Sequence, residues 1–189
     1  MDALAALSTR HSVAPPFLTG PGPDEQMLAR ILAAGASAPD HGRLRPWRFI
    51  VIRGEARERL GEVFAQALVR RQPDAPPEAL EQERSRPLRA PVLIAVVAKV
   101  DPEHPKIPEF EQILSTGAAV ENILLAAHAQ GFGAKWLTGA NAYDDHVKAA
   151  LGLAGNDRLA GFVHLGTVDG KPPQVPHADA RDLTLEWQG

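Results

Sequence analysis

The sequence predicts one domain in which helices cover a largely buried β-sheet, and three observations carry that expectation. Residues 91–100, PVLIAVVAKV, form an apolar run without polar alternation, the pattern of a strand covered on both faces. Residues 109–130 have a helical period, and their stretch from Ala118 to Ala129 is apolar on nearly every side except at Glu121, Asn122 and His128. Such a helix needs cover from a sheet and from either another helix or a second subunit. The length of 189 residues suffices for one such core and is short for two, so a single domain is expected over 1–189.

The remaining elements follow in order. Asp2 is placed to cap a first helix ending near Thr9, and Asp24 to cap a second, in which Met27, Leu28, Ile31 and Leu32 form one stripe and Pro39 marks the stop. Trp47 to Ile52 is rich in aromatic and β-branched residues and reads as a strand, followed by a helical pattern from Glu55 to Arg71. Residues 72–88 are Pro-rich and charged, a surface excursion or lid with at most a short helix. Residues 131–139, GFGAKWLTG, read as a helix stop and a strand ending in a glycine turn. A short helix in AYDDHVKAALGL and a strand in RLAGFVHLGTV complete the pattern. The arm 170–189 is Pro-rich and closes on LTLEW, whose alternation permits an edge strand.

Composition removes several function classes. A formal charge of -3 gives no electrostatic reason for nucleic-acid binding, and the absence of cysteine excludes disulfides, thiolate nucleophiles and cysteine metal sites. The first residues lack a basic and then apolar leader, and no run approaches a membrane span, so a soluble cytoplasmic protein without membrane or nucleic-acid partners is expected. The glycine fingerprints of dinucleotide and P-loop folds, H-E-x-x-H and G-x-S-x-G are all missing. His104 with Glu103, Glu109 and Glu111 lacks ligand spacing, so no metal site is expected. Asp144, Asp145 and His146 read as the opening of a helix.

Three stretches carry polar chemistry. In TRHS, Thr9 to Ser12, an Arg fork and a nearby hydroxyl can clasp a phosphate, or Arg10 can complement a helix end. In APDHGRLRPW, Ala38 to Trp47, a tight turn can aim His41 and backbone N–H groups inward; otherwise Trp47 is core and the arginines are solvated. In WLTG, Trp136 to Gly139, a strand end offers a ligand backbone amides and a hydroxyl, or Trp136 fills core and Thr138 caps a turn. His128 reads as a core histidine.

These three stretches in this order resemble the FMN-dependent nitroreductase family, nearest to its short-chain NAD(P)H nitroreductase branch, over nearly the whole chain. The resemblance implies an α+β fold with a central mixed or antiparallel sheet flanked by helices, an intertwined homodimer, and FMN sites at the subunit interface. It implies that Arg10, His11 and Ser12 hold the FMN phosphate and approach the ring edge, that Ser37 and His41 contact the flavin, and that Trp136, Leu137 and Thr138 contribute from the loop after the long helix. Ala126, Ala127, His128, Ala129, Gln130 and Gly131 correspond to the family's nicotinamide-nucleotide region. Many family members have a second basic residue after Arg-x-Ser, where this chain has Ala14 and Pro15, and the C-terminal basic pair of longer relatives has no clear counterpart. Arg43 and Arg45, which replace the family's Asn and Gln before Pro-Trp, are candidates to supply that charge beside the flavin.

The implied activity is hydride transfer from NAD(P)H through flavin N5 to a nitroaromatic, quinone or similar electron-poor acceptor, in ping-pong order. The flavin carries the chemistry, so no catalytic side chain is expected. Two other readings compete: a low-turnover flavin-binding module for sensing or storage, and a cofactor-free dimeric interaction protein.

Overall fold

The computed structural model describes residues 2–189. In chain order its elements are α1 (Ala3–Thr9), β1 (Leu18–Thr19), α2 (Glu25–Ala36), β2 (Trp47–Arg53), α3 (Ala56–Arg71), α4 (Pro77–Ser85), β3 (Val92–Ala98), α5 (Glu109–Ala129), β4 (Phe132–Leu137), α6 (Ala140–Tyr143), α7 (Asp145–Ala150) and β5 (Arg158–Val168). The fold is α+β, and every strand pairing is antiparallel: β2 with β3, and β5 with β1, β3 and β4.

β3 lies between β2 and β5, and all seven of its residues are buried, as its unbroken apolar run predicts. Because alternate residues face opposite ways, its two sides enter different cores. Leu93, Ala95 and Val97 pack with Leu60, Phe64 and Ala67 of α3. Val92, Ile94 and Val96 pack with Ile31 of α2 and with Val120 and Ile123 of α5. Fully burying a side chain of this size contributes roughly 1.5–3 kcal/mol, so this strand and the helices on either side anchor the domain.

The caps follow the sequence. Asp2 accepts from the Ala5 amide at 2.9 Å, and Asp24 from the Met27 amide at 2.7 Å. α5 begins with Glu109 and Glu111 in its first turn, which suits the positive end of its dipole. It stops at Gly131, whose φ of 85° few side-chain-bearing residues adopt and whose amide donates to the His128 carbonyl at 2.9 Å. The helix expected from AYDDHVKAALGL divides at Asp144, whose carboxylate caps α7 through the His146 and Val147 amides.

Two segments take forms that the chain's pattern left open. Residues 72–88 contain the nine-residue α4, with Pro77 in its first turn and Glu83 buried. α4 packs so closely on α3 that a Cβ at Gly61 would collide with the Arg84 carbonyl. The LTLEW segment, for which an edge strand is allowed, forms none: a 3₁₀ turn spans Ala180–Leu183, and Leu185 and Trp187 are 97% and 88% exposed. Among the described residues nothing covers those side chains, so no burial term fixes the pairing. No helix of the described residues is long and apolar enough to cross a membrane.

Candidate functional site

The TRHS stretch leaves α1 in extended conformation. Arg10 still donates its amide to the Ala6 carbonyl, and three residues later Val13 donates to the Ala134 carbonyl of β4, both at 3.0 Å. The segment is therefore strung between α1 and β4, alongside the C-terminal half of α5. The polar residues that interrupt the apolar stretch of α5 are tethers along this side. Glu121 pairs with Arg10 Nε at 3.2 Å, Asn122 donates to the Ala34 carbonyl at 3.1 Å, and His128 Nε2 meets Thr9 Oγ1 at 2.8 Å. Thr9 Oγ1 gives its own hydrogen to the Ala5 carbonyl, so in the His128 bond the imidazole Nε2 is the donor.

Arg10, Val13, His128 and Ala134 are on the wall of a cavity of about 560 Å³. Arg10, His11 and His128 line one side, Phe132 and Ala134 the sheet side, and Gly170 and Lys171 the rim. Gly170, at φ 76°, turns the chain after β5 so that Lys171 borders the cavity. His11 Nδ1 lies 3.3 Å from the Thr9 carbonyl, which can only accept, so the hydrogen sits on Nδ1 and Nε2 keeps its lone pair. That Nε2 is buried and has no partner among the described residues. The His11 and His128 rings meet edge to face, with centroids 6.4 Å apart. Burial lowers the His128 pKa below 6.5, and the Arg10 charge, with His11 whenever that ring is protonated, adds to the effect. At neutral pH His128 is thus uncharged, and Arg10 and Lys171 are the fixed cations of the cavity.

The other sequence candidates lie elsewhere in the chain. Ser12 is exposed beside His11. Ser37 donates to the Ala34 carbonyl at 2.8 Å and borders a groove between α1, α2 and α5, together with Leu7, Asn122, Leu125, Ala126 and Ala129. His41 pairs with Glu111 at 2.7 Å near the opposite end of α5. Arg43 and Arg45 are exposed and held at φ 58° and 51°, flanking Leu44 and following Gly42 at φ 68°. A left-handed conformation costs a side-chain-bearing residue roughly 1–2 kcal/mol, so this loop is strained. The Asp40 carboxylate steadies it by accepting from the Arg45 amide at 2.7 Å.

Trp136 is 41% exposed and bonds the Ala160 carbonyl through Nε1 at 2.9 Å, so it is an edge residue and not a core one. Leu137 and Thr138 border a separate small cavity near His164. Within the 126–131 stretch only His128 and Gly131 reach the large cavity. Gln130 turns back to the Ala126 carbonyl at 3.3 Å. Ala127 is fully buried in the core cluster that α2, α5 and β3 share.

Sequence reasoning missed Lys171 and the Arg10–Glu121 pair. Lys171 had one local signal, its position directly after the glycine that ends β5.

The nitroreductase family model matches residues 7–167, from within α1 to the last residue but one of β5. The chain belongs to the nitroreductase family. A relative in Escherichia coli K12, named "Putative NAD(P)H nitroreductase YdjA", is 42% identical over 167 residues, covering 88% of each chain. A solved nitroreductase-like family protein from Bacillus cereus has the same fold, with a TM-score of 0.84, 22% identity and coverage of 100% of this chain and 97% of that one. A nitroreductase from Bacteroides fragilis solved with bound FMN has a TM-score of 0.74 and 24% identity, covering 99% and 100%. The nitroreductase match includes Arg10–Ser12, the 37–45 loop and 136–138, whereas Lys171 lies beyond it.

Proposed function

We propose that the protein is a homodimeric, cytoplasmic FMN-dependent oxidoreductase that moves hydride equivalents from NAD(P)H to an electron-poor acceptor such as a nitroaromatic or a quinone. The observation that carries this reading is the Arg10 cavity. It combines two fixed cations with a buried imidazole nitrogen that has a free lone pair, in a chamber of about 560 Å³. That volume lies within the range of small-molecule and cofactor sites. The donor set fits FMN: a phosphate monoester takes charge-assisted bonds from guanidinium and ammonium, and a ribityl hydroxyl has the O–H that His11 Nε2 lacks. The FMN-bound relative from Bacteroides fragilis and the NAD(P)H in the name of the Escherichia coli relative support the same choice.

When bound, FMN supplies two-electron transfer between donor and acceptor. The chain's own residues bind and orient it. Among the described residues Arg10 spends only Nε on Glu121, so its terminal amino groups are free to grip phosphate, with Lys171 on the rim of the same cavity. His11, kept in one tautomer by the Thr9 carbonyl, orients the ribityl tail. His128 and Gly131 are the part of the nucleotide stretch within reach of NAD(P)H at the same cavity.

Ser37, His41, Arg43 and Arg45 lie off this cavity in their own chain, and in the homodimer they serve the site of the second copy. The apolar groove between α1, α2 and α5 is the surface that second copy covers. Arg43 and Arg45 then bring positive charge to the flavin. Donor and acceptor occupy one site in turn, which gives ping-pong kinetics.

Steady-state rates with NADH or NADPH against a nitroaromatic and a quinone test this reading, and parallel double-reciprocal lines are expected. A single stoichiometric reduction without turnover supports the storage module instead. A protein that takes up no FMN contradicts the reading.

A further inference from the structure

β4 links two parts of the molecule. Near its start Phe132 and Ala134 form the sheet side of the Arg10 cavity, and after its end at Leu137 the chain turns through Thr138 and Gly139 into α6. From Ala134 to Thr138 the chain advances about 13 Å, at roughly 3.3 Å per residue. The place of that turn is set by residues on three other elements, β5, α3 and α4.

β5 seats it from one side. The β3–β5 register passes from Val96 opposite Gly161 to Val97 opposite Leu159, so Ala160 is the extra residue of a bulge. The Ala160 carbonyl accepts from Trp136 Nε1 at 2.9 Å. Gly161 has φ 138°, and a Cβ there would lie 2.5 Å from Trp136 Nε1 and 2.6 Å from the Leu137 carbonyl oxygen. Glycine is what lets the end of β4 approach so closely.

α3 and α4 hold the turn from the other side through a buried polar chain. Asn141, two residues after Gly139, is buried, and so is Glu83 of α4. Asn141 Nδ2 donates to one Glu83 oxygen at 2.7 Å, Arg86 Nε donates to the other at 2.8 Å, and Asn141 Oδ1 accepts from Arg71 Nη2 at 3.0 Å. Arg71 also pairs with Asp144, which caps α7. A carboxylate accepts and a guanidinium donates, so a single orientation of the Asn141 amide satisfies both neighbours. Those neighbours lie on different helices, and the amide fixes the turn against both. Removing one member leaves buried polar atoms unpaired, so the chain tolerates one geometry.

We propose that Glu83 and Asn141 are positioning residues for the flavin: Glu83 acts through Asn141, and Asn141 through the turn it follows. The inference rests on the FMN reading of the protein, in which Leu137 and Thr138 contribute to the flavin site. It gives the 72–88 segment the role of a buttress, since α4 packs on α3 and carries Glu83.

The test is a fluorescence titration of the full-length protein with FMN, paired with the visible spectrum of the bound flavin, at a temperature where circular dichroism shows each variant folded. Asn141→Asp sets a second carboxylate against Glu83, and Glu83→Gln sets a second amide against Asn141. Each is expected to weaken FMN binding at least about fivefold and to shift the bound-flavin spectrum. The double variant Glu83→Gln/Asn141→Asp exchanges amide and carboxylate and restores every bond. The new carboxylate accepts from Arg71 and from the new amide, whose oxygen accepts from Arg86. It is expected to bind FMN within about twofold of the wild type. Single variants that melt earlier but keep wild-type affinity and spectrum overturn the proposal, as does a double variant no better than the singles. Where a single variant does not fold, Glu83→Asp, shorter by one methylene, replaces it; weakened binding is again expected, and wild-type affinity overturns the proposal. A wild type that takes up no FMN overturns the FMN reading and this inference together, whereas the other contrary outcomes overturn this inference alone.

Discussion

The two faces of the sheet are finished to different degrees. On the α3 side, Leu60, Phe64 and Ala67 close over β3, and the polar groups bond mainly to one another, Asp144 to Arg71 to Asn141 to Glu83 to Arg86. On the α5 side, Phe110, Ile113 and Leu114 are exposed at 70%, 38% and 55%, an apolar groove runs beside Leu125 and Ala126, and the polar groups face a large cavity. Contiguous exposed apolar surface next to unsatisfied polar atoms marks a place meant for partners. One face is closed largely by the chain's own helices. The other leaves apolar side chains and a polar cavity open, as the proposed FMN and second copy require.

The strongest way to break this contrast is Ala126→Glu, which puts a charge into the groove. The wild type is expected to sediment as a dimer and the variant as a monomer, with association weakened at least about 100-fold, because an unpaired charge buried in an interface costs several kcal/mol. A wild type that is monomeric would show that something else covers this face.

Arg10→Ala comes next. Loss of one charge-assisted bond, about 1.5–3 kcal/mol, raises the FMN dissociation constant roughly 10- to 100-fold in a fluorescence titration, with the melting temperature of the FMN-free protein little changed. Gly61→Val acts on the other face. The collision with the Arg84 carbonyl lowers stability by about 1–3 kcal/mol in denaturant, while the FMN stoichiometry stays as in the wild type. If the two variants exchanged phenotypes, the division between faces would be wrong.

The smallest effect is in pH. The folded His128 pKa lies below 6.5, so the unfolded chain binds more protons under mildly acidic conditions, and stability of the FMN-free protein falls as pH drops below 6.5. A phosphate beside the ring favours its protonated form, so binding FMN takes up a proton. Compared with His128→Gln, the wild type should gain FMN affinity by about two- to fivefold as pH falls through that window. An equal pH profile for the two proteins would remove His128 from the phosphate environment.

Much of the fold was legible in the chain because its signals are local. The unbroken apolar run gave β3, the helical period and Gly131 gave α5 and its end, and Asp2, Asp24 and Asp144 sit at helix starts where their side chains accept backbone amides. The α4 helix was obscured by the prolines around it, since Pro77 is tolerated in a first turn and marks a start as readily as a break. The sites were half legible. Arg10, His11 and His128 meet at one cavity, but Lys171 reaches it only because Gly170 turns the chain, a consequence of tertiary path that spacing does not encode. The tethering roles of Glu121, Asn122 and His128 needed the positions of α1 and α2 before their polarity on an apolar helix made sense.

The most direct test of the central claim is a visible absorption titration of the purified protein with FMN, followed by anaerobic addition of NADH and then NADPH. The expected result is one flavin bound per chain, bleached by at least one of the two donors, with the uptake greatly weakened in Arg10→Ala. A protein that binds no flavin, or binds it equally well without the Arg10 side chain, would contradict the assignment of this cavity.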